Sequence, residues 1–366
     1  MGIRFDKDTR RATNGPMIFF SDPSAEISLG EEIRGAIESR LSFYAYRRPG
    51  DMMITYGSSE GVVEGIGVPG FVIAPFMPDA PYLTIPYKPV KPFLSQISNS
   101  YHCPRYSTTP QEHASEIRKI KEVLADIGSG KIIAARVCIE NRNVDVASTF
   151  SELSKRHPDA FVFCFSTPQT GCWIGASPEL LLESHQNKLE TMALAGTRAA
   201  NSSGDWDIKN VEEQNIVTKF IAETFSYHNI PPQIDDTYSR QAGKVEHLCT
   251  PISGIPRHPL TAEALTSLLR NLSPTPALCG LPRDIALKVI RKTENFDRGY
   301  YGGFCGPYRS PSDFSFYVNL RCCLVEELKY CIFIGGGITL RSNSESEWAE
   351  TEIKSSTIRE SMHFNN

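Results

Sequence analysis

Hydrophobic residues recur along the chain with two different periods, and these periods predict separate groups of helices and strands. A first helix is expected over residues 110–127, because Thr109 and Pro110 supply an N-cap and a first-turn proline before apolar side chains at helical spacing. The glycines at 128 and 130 are expected to end it. Further helices are predicted over 211–228, 262–271 and 345–363.

Strands are predicted where short runs of aliphatic, β-branched and aromatic residues lie between polar turns. These runs cover 132–139, 161–166, 172–176, 180–184, 189–195, 314–325 and 330–335. The strands cluster instead of alternating with helices, and short turns such as 183–187 favour antiparallel pairing. The pattern therefore indicates an α+β fold. The proline-containing stretch from Pro86 to Pro110 is expected to be a long connection.

The composition excludes several classes of protein. With 366 residues, 40% of them hydrophobic and 22% charged, the chain is neither a disordered nor a fibrous protein. Its net charge of −4 offers no basic excess for a phosphate backbone, so nucleic acid is not expected as a partner. The N-terminus shows no apolar stretch of signal-peptide length and no window approaches a membrane span, so the expected location is the cytoplasm.

The ten cysteines and eight histidines have no spacing typical of a zinc site. Most of the cysteines lie inside apolar runs, such as 161–165, and are expected to be reduced thiols in the core. A metal bound by this chain would therefore need oxygen ligands.

Carboxylates on two predicted helices are candidates for such ligands. Glu347, Glu350 and Lys354 share one face of the last helix. This helix follows three glycines, 335–337, whose bare amides could receive an anion. Glu213 falls on the apolar stripe of the second helix, where an unpaired carboxylate is costly. The simpler interpretation of the last helix is a solvated ion pair between Glu350 and Lys354, and that of the second helix is a position of Glu213 at the rim of the apolar face. Two acidic helix faces are, however, also what a Mg²⁺ site needs.

Two further residues have chemistry to offer. Lys131 stands between a glycine turn and an apolar strand, where the simpler interpretation is a strand-end lysine with its charge in water. Glu179 lies at a bend between two predicted strands, where an exposed turn acid is simpler. Neither residue by itself indicates a function.

Seven short segments occur in order between residues 110 and 363. They are GKIIAAR (130–136), GASPELL (175–181), ALAGTR (193–198), HLCTPI (247–252), PTPALCG (274–280), FDRGYYGG (296–303) and EWAET (347–351). Together they resemble the chorismate-utilising enzymes and, within that family, the isochorismate synthases, which are relatives of anthranilate synthase component I. The first hundred residues match only loosely.

The resemblance implies two large antiparallel β-sheets packed face to face with helices on the outside. Residues 1–105 would form the variable N-terminal part, and 106–366 the chorismate-binding catalytic region, of one structural domain. The implied reaction is the reversible, Mg²⁺-dependent conversion of chorismate to isochorismate, in which water adds at ring C2 and the C4 hydroxyl leaves.

The resemblance also implies a role for each candidate. Lys131 would be the general base that activates water, with a lowered pKa, and Glu179 the general acid that protonates the leaving hydroxyl, with a raised pKa. Mg²⁺ would be bound by Glu213, Glu347 and Glu350. Seven residues would contact chorismate, along its ring or at its enolpyruvyl carboxylate: Gly196, Thr197, His247, Ala277, Arg321, Gly335 and Lys354.

Some alternatives stay open at the level of sequence. Lys131 and the segment 274–280 favour water over ammonia as the nucleophile, so no glutaminase subunit is expected. A salicylate synthase and a catalytically silent chorismate-binding relative are the alternatives, and residual pyruvate-lyase activity is not decided. Gln214 stands where the family commonly has a histidine, which leaves open whether Glu212 or Glu213 is the metal ligand. The sequence does not choose between menaquinone and siderophore synthesis, nor give the oligomeric state.

Overall fold

Strands outnumber helices in the computed structural model, which describes residues 17–19, 23–88, 100–200, 202, 204–242 and 245–365. The helices are α1 (Pro23–Glu38), α2 (Pro110–Ile127), α3 (Val146–Arg156), α4 (Ile208–Tyr227), α5 (Ala262–Leu272), α6 (Arg283–Thr293) and α7 (Ser344–Arg359). The strands of the N-terminal part are β1 (Met17–Phe19), β2 (Ser42–Arg47), β3 (Met53–Ser59), β4 (Val63–Glu64), β5 (Gly70–Ala74) and β6 (Leu83–Pro86).

The remaining strands follow α2. They are β7 (Lys131–Glu140), β8 (Phe161–Thr167), β9 (Gly171–Ser177), β10 (Leu180–His185), β11 (Lys188–Ala199), β12 (Gln233–Ile234), β13 (Tyr238–Ala242), β14 (Val245–Gly254), β15 (Gly280–Leu281), β16 (Phe304–Ser310), β17 (Asp313–Val318), β18 (Cys322–Val325) and β19 (Tyr330–Ile338).

These strands form two large sheets, and every pairing among the described strands is antiparallel. The first sheet has the order β1-β3-β2-β8-β9-β18-β19-β7-β15, and the second β12-β14-β11-β10-β17-β16-β5-β6-β4, with β13 also paired to β14. Strands from the N-terminal part belong to both sheets. The predicted α+β fold with two antiparallel sheets is confirmed.

An aromatic core joins the two sheets face to face. Phe161 of the first sheet stacks on Tyr317 of the second with ring centroids 4.1 Å apart, and Tyr44 stacks on Phe71 at 5.1 Å. Such pairs add to the free energy of burying large rings between sheets. The helices lie outside: α1 and α3 cover the first sheet, while α4 and α5 cover the second.

Local sequence signals explain α2. The hydroxyl of Thr109 accepts a hydrogen bond from the backbone N–H of Glu112 at 3.2 Å, and the Glu112 carboxylate accepts one from the backbone N–H of Thr109 at 2.8 Å. Gly128, with φ of 78°, ends the helix in the left-handed region that favours glycine. The helix predicted over 110–127 is therefore confirmed.

The single strand predicted over 314–325 is wrong. The chain forms β17 in the second sheet and β18 in the first, and residues 319–321 cross between them. Arg321 takes a φ of 48°, an uncommon conformation for a side-chain-bearing residue. The hydrophobic run hides the crossover, because both strands are buried on both faces.

Other boundaries also differ from the sequence expectations. The last helix ends at Arg359 instead of 363, because the chain turns there and the carbonyl of His363 accepts a hydrogen bond from the backbone of Asp145. In the expected connection between Pro86 and Pro110, residues 87–88 and 100–109 form neither helix nor strand, and 89–99 lie outside the described residues.

All ten cysteines are free thiols, eight of them buried. Across the described ranges, no helix has both the length and the apolar character needed to cross a membrane.

Candidate active site

A cavity of about 330 Å³ opens between the two sheets, α4 and α7. Its walls come from β7 and β19 of the first sheet, β11 and β14 of the second, the crossover at Arg321 and the loop before β15. All twelve residues that the sequence pointed to line this one cavity: Lys131, Glu179, Gly196, Thr197, Glu213, His247, Ala277, Arg321, Gly335, Glu347, Glu350 and Lys354.

Lys131 points into the cavity from the first position of β7. Its Nζ lies 3.2 Å from Oε2 of Glu213, and each of the two side chains is 13% exposed. Gly337 on the neighbouring strand β19 leaves room for this path, since a Cβ there would lie 2.1 Å from Cε of Lys131. The interpretation of Lys131 as a strand-end lysine with its charge in water is therefore wrong.

Helix α4 presents Glu213 at the edge of its buried face. Glu212 is exposed and does not line the cavity, whereas Glu213 does, so Glu213 is the member of this pair that could hold a metal there. Ile216, which the sequence placed on the apolar stripe, is 38% exposed. The buried face is instead formed by Gln214, Val217, Ile221, Thr224 and Phe225.

Gln214 fastens α4 to the second sheet. Its amide nitrogen donates to the carbonyl of Ala193 at 2.9 Å and to the hydroxyl of Thr250 at 2.7 Å, and its amide oxygen accepts from the backbone of Ala195 at 2.9 Å. A fully satisfied buried amide fixes the register of the helix on β11. Glu213, the residue directly before Gln214, is held at the cavity wall by this anchor.

Glu179 is buried, with 5% of its surface exposed, in the turn between β9 and β10. Desolvation raises the pKa of its carboxyl to about 7, against a hydrogen bond from Thr275 and the positive charges of Lys131 and Arg321. The Thr275 hydroxyl lies 3.4 Å from Oε1. Glu179 is thus a carboxyl that holds a proton near neutral pH, and the simpler interpretation of an exposed turn acid is wrong.

His247 and Arg321 form a polar wall beside Glu179. Burial lowers the pKa of His247 to about 4, with the neighbouring Arg321 acting in the same direction, so the imidazole is neutral at pH 7. Nη2 of Arg321 lies 3.3 Å from Nε2 of His247, and a guanidinium only donates. Nδ1 must therefore carry the ring hydrogen and donate to the carbonyl of Gly196 at 2.9 Å. Desolvation lowers the pKa of Arg321 to about 10, which leaves it charged.

Helix α7 brings Glu347, Glu350 and Lys354 to the opposite wall. Nζ of Lys354 lies 2.7 Å from Oε1 of Glu350 and donates to the carbonyl of Gly335 at 3.1 Å. Glu347 is 6% exposed, and its Oε2 would lie 3.1 Å from a Cβ on Gly336. The glycines of β19 therefore make room for acidic and basic side chains, a role that their sequence did not reveal.

The cavity offers the type of ligand atom that Mg²⁺ prefers. Glu213, Glu347 and Glu350 offer oxygen ligands only, and all three line the cavity. In the structure Glu213 and Glu350 each form an ion pair with a lysine. No group of three or more His, Cys, Asp or Glu within the described ranges is close enough to form a preassembled metal site. A cation would therefore have to replace lysine contacts at two of its ligands.

Asn210 and Tyr301 are among the residues of the cavity wall that were missed at the sequence level. The side-chain oxygen of Asn210 accepts a hydrogen bond from the backbone N–H of Thr197 at 3.0 Å and so shapes the bend at Gly196, whose φ is 68°. Tyr301 lines the cavity next to Gly335, where a Cβ would lie 2.8 Å from its hydroxyl. Tyr301 lies in the FDRGYYGG segment, which was the available signal.

Comparison with known proteins agrees with this geometry. The family model described as chorismate binding enzyme matches residues 91–363. Isochorismate synthase EntC of Escherichia coli (strain K12) is 31% identical over 231 residues, which cover 59% of this chain and 57% of the relative. The chloroplastic isochorismate synthase 2 of Arabidopsis thaliana is 29% identical over 260 residues, which cover 66% of this chain and 45% of the relative. The chain spans about half the length of these relatives.

A solved structure shares the fold. MenF, the menaquinone-specific isochorismate synthase from Escherichia coli, superposes with a TM-score of 0.73 at 19% identity, covering 88% of this chain and 89% of that one. The family match spans most of the chain and includes every residue of the cavity described above. The chain belongs to the chorismate binding enzyme family.

Proposed function

We propose that the protein is a Mg²⁺-dependent isochorismate synthase. The observation that carries the proposal is a buried glutamic acid with a pKa of about 7 that shares a cavity with a half-buried lysine. The volume of about 330 Å³ lies within the range of small-molecule sites. The names of the similar curated proteins support the same activity.

The reaction assigns one proton transfer to each of these two residues. Lys131, in its neutral form, accepts a proton from the water that attacks ring C2, and Glu179, in its protonated form, gives a proton to the departing C4 hydroxyl. The C2–O bond forms as the C4–O bond breaks. In the same step each of the two ring double bonds moves by one position around the ring. Proton return from Lys131 to Glu179 restores the starting state, and the same groups run the reverse reaction.

The other polar side chains of the cavity hold the substrate. Arg321 and Lys354 would bind the enolpyruvyl carboxylate, as fixed donors in a largely dry site. His247 orients Arg321 through its Nε2 lone pair. When bound by Glu213, Glu347 and Glu350, Mg²⁺ supplies positive charge for the ring carboxylate.

The products distinguish this proposal from its alternatives. The purified chain is incubated with chorismate and Mg²⁺, with and without high ammonium at mildly alkaline pH, and the products are separated. Isochorismate in both reactions supports the proposal and the use of water without a glutaminase subunit. Salicylate with pyruvate indicates a salicylate synthase, unchanged chorismate with measurable binding indicates a silent relative, and an aminated product overturns water as the nucleophile. The cytoplasmic location stays a prediction.

A further inference from the structure

Arg136 contacts the helix that carries the acidic ligands, although it is not part of the proposed chemistry. It lies on β7, five residues after Lys131, and is 2% exposed. Because successive side chains of a strand point to opposite faces, Lys131 and Arg136 leave β7 on different sides. One strand thus holds a cavity lysine on one face and a buried guanidinium on the other.

Three contacts fix the guanidinium against α7. Nε of Arg136 donates to the hydroxyl of Thr351 at 2.7 Å, and Nη2 donates to a carboxylate oxygen of Glu352 at 2.5 Å. The plane lies over the Trp348 ring, 3.9 Å from its centroid. Two directional hydrogen bonds and a stacked face leave the group little freedom, which a lysine at this position could not reproduce.

The residues of α7 that Arg136 contacts lie next to its cavity residues in the sequence. Trp348 follows Glu347 directly, and Thr351 follows Glu350. A second ring supports the stack, since His113 of α2 meets Trp348 edge to face with centroids 5.7 Å apart. Burial lowers the pKa of His113 to about 4, so it acts as a neutral ring at pH 7. The face of α7 beside the carboxylates is therefore held between α2 and β7.

Burying a guanidinium is expensive unless its contacts are well made, and an apolar residue could fill this place more cheaply. The contacts of Arg136 all fall between Trp348 and Glu352 of α7, the part of the helix that also carries Glu347 and Glu350. We propose that Arg136 is a positioning residue that sets the placement of α7 on β7, and hence of its two carboxylates relative to Lys131. The inference rests on the proposed function of those carboxylates.

The test uses Arg136→Lys and Arg136→Met in the full chain. Mn²⁺ affinity measured by electron paramagnetic resonance and chorismate affinity measured by calorimetry should each fall about tenfold, as expected when a group that orients metal ligands is removed. Amide hydrogen exchange in α7, measured without ligands, should accelerate about tenfold relative to exchange in α5. Arg359→Met is the comparison variant. Arg359 also links α7 to β7, since it binds Glu352 at 2.9 Å and Glu140 at 3.2 Å, but it does so at the end of the helix and shares neither the Trp348 nor the Thr351 contact.

The outcomes separate the inference from the proposed function. Exchange in α7 and affinities within twofold of wild type in both Arg136 variants would overturn the inference, as would an equal effect of Arg359→Met. If wild type makes no isochorismate while α7 exchange accelerates only in the Arg136 variants, the proposed function fails and the positioning role stands. If Arg136→Met does not fold, Thr351→Val replaces it, and it should shift exchange and Mn²⁺ affinity in the same direction.

Discussion

The buried acid Glu179 should make the fold less stable as the pH rises. Its pKa is about 7 in the folded chain and 4.5 in an exposed glutamate. Below pH 4.5 the carboxyl is protonated in both states and has no effect. As the pH rises from 4.5 to 7 the unfolded chain releases the proton first, so folding loses free energy relative to a neutral side chain. Above pH 7 the penalty is constant.

The magnitude follows from the two pKa values. At 1.36 kcal/mol for each pKa unit, the full difference is about 3 kcal/mol. Glu179→Gln keeps the shape and stays neutral, so it should stabilise the fold by about 1 kcal/mol at pH 5 and about 3 kcal/mol at pH 8. The same substitution should lower turnover by roughly 10² or more, because it removes the proton donor.

Urea unfolding in the presence of a chelator measures this effect on the metal-free protein, at pH 5 and pH 8. Glu212→Gln is the control, because it makes the same carboxyl-to-amide change at an exposed position of α4 that does not line the cavity. A difference between Glu179→Gln and wild type that stays flat or shrinks between the two pH values would refute the burial argument. If Glu179→Gln loses turnover but does not stabilise the fold, Glu179 acts as an acid, and desolvation is not what keeps it protonated.

Three other substitutions test separate parts of the structure. Lys131→Ala should lower kcat by roughly 10² or more with a much smaller change in chorismate affinity, and near-normal turnover would contradict its role as base. Glu350→Gln should raise the Mg²⁺ concentration for half-maximal activity about tenfold, while Glu345→Gln, exposed in the first turn of α7, should change it less than twofold. Arg298→Met should cost about 3–5 kcal/mol in urea unfolding, because it leaves the buried Glu294 carboxyl without its charged partner; a loss below about 1 kcal/mol would contradict this.

Local and family signals predicted much of this molecule, for different reasons. The bounds of α2 follow from its capping box and terminal glycine, which act within a few residues. The site residues lie far apart along the chain and were grouped only through the resemblance, since no periodicity brings Glu179 near Glu350. The division at residue 105 stays a prediction, although strands from both sides of it share both sheets.

The features that sequence reasoning missed depend on long-range contacts. The run 314–325 is mostly apolar and its two strands are buried on both faces, so its period carries no trace of the crossover that places Arg321 in the cavity. Helices α1, α3 and α6 were not predicted, although α3 has an Asp145 cap. In the sequence Glu352 looks like an exposed helix acid, but it pairs with Arg136 and Arg359. Glu345 is therefore a better control than Glu352 for the Glu350→Gln substitution. The sequence alone does not reveal the contact with Arg136, because that residue lies on another element and more than 200 residues away along the chain.

The charges of the cavity explain why one substitution should affect metal and substrate together. Five acidic side chains line the cavity against three lysines and arginines, so the acids still outnumber the bases when Glu179 is protonated, and His247 is neutral. A substrate with two carboxylates would add to this negative excess if it entered alone, at a cost that burial increases. A divalent cation offsets that excess, so each ligand should favour the other by the same free energy. Glu350→Gln removes negative charge, yet it should weaken chorismate binding when Mg²⁺ is present, because the cation it helps to hold contributes more than the charge it removes.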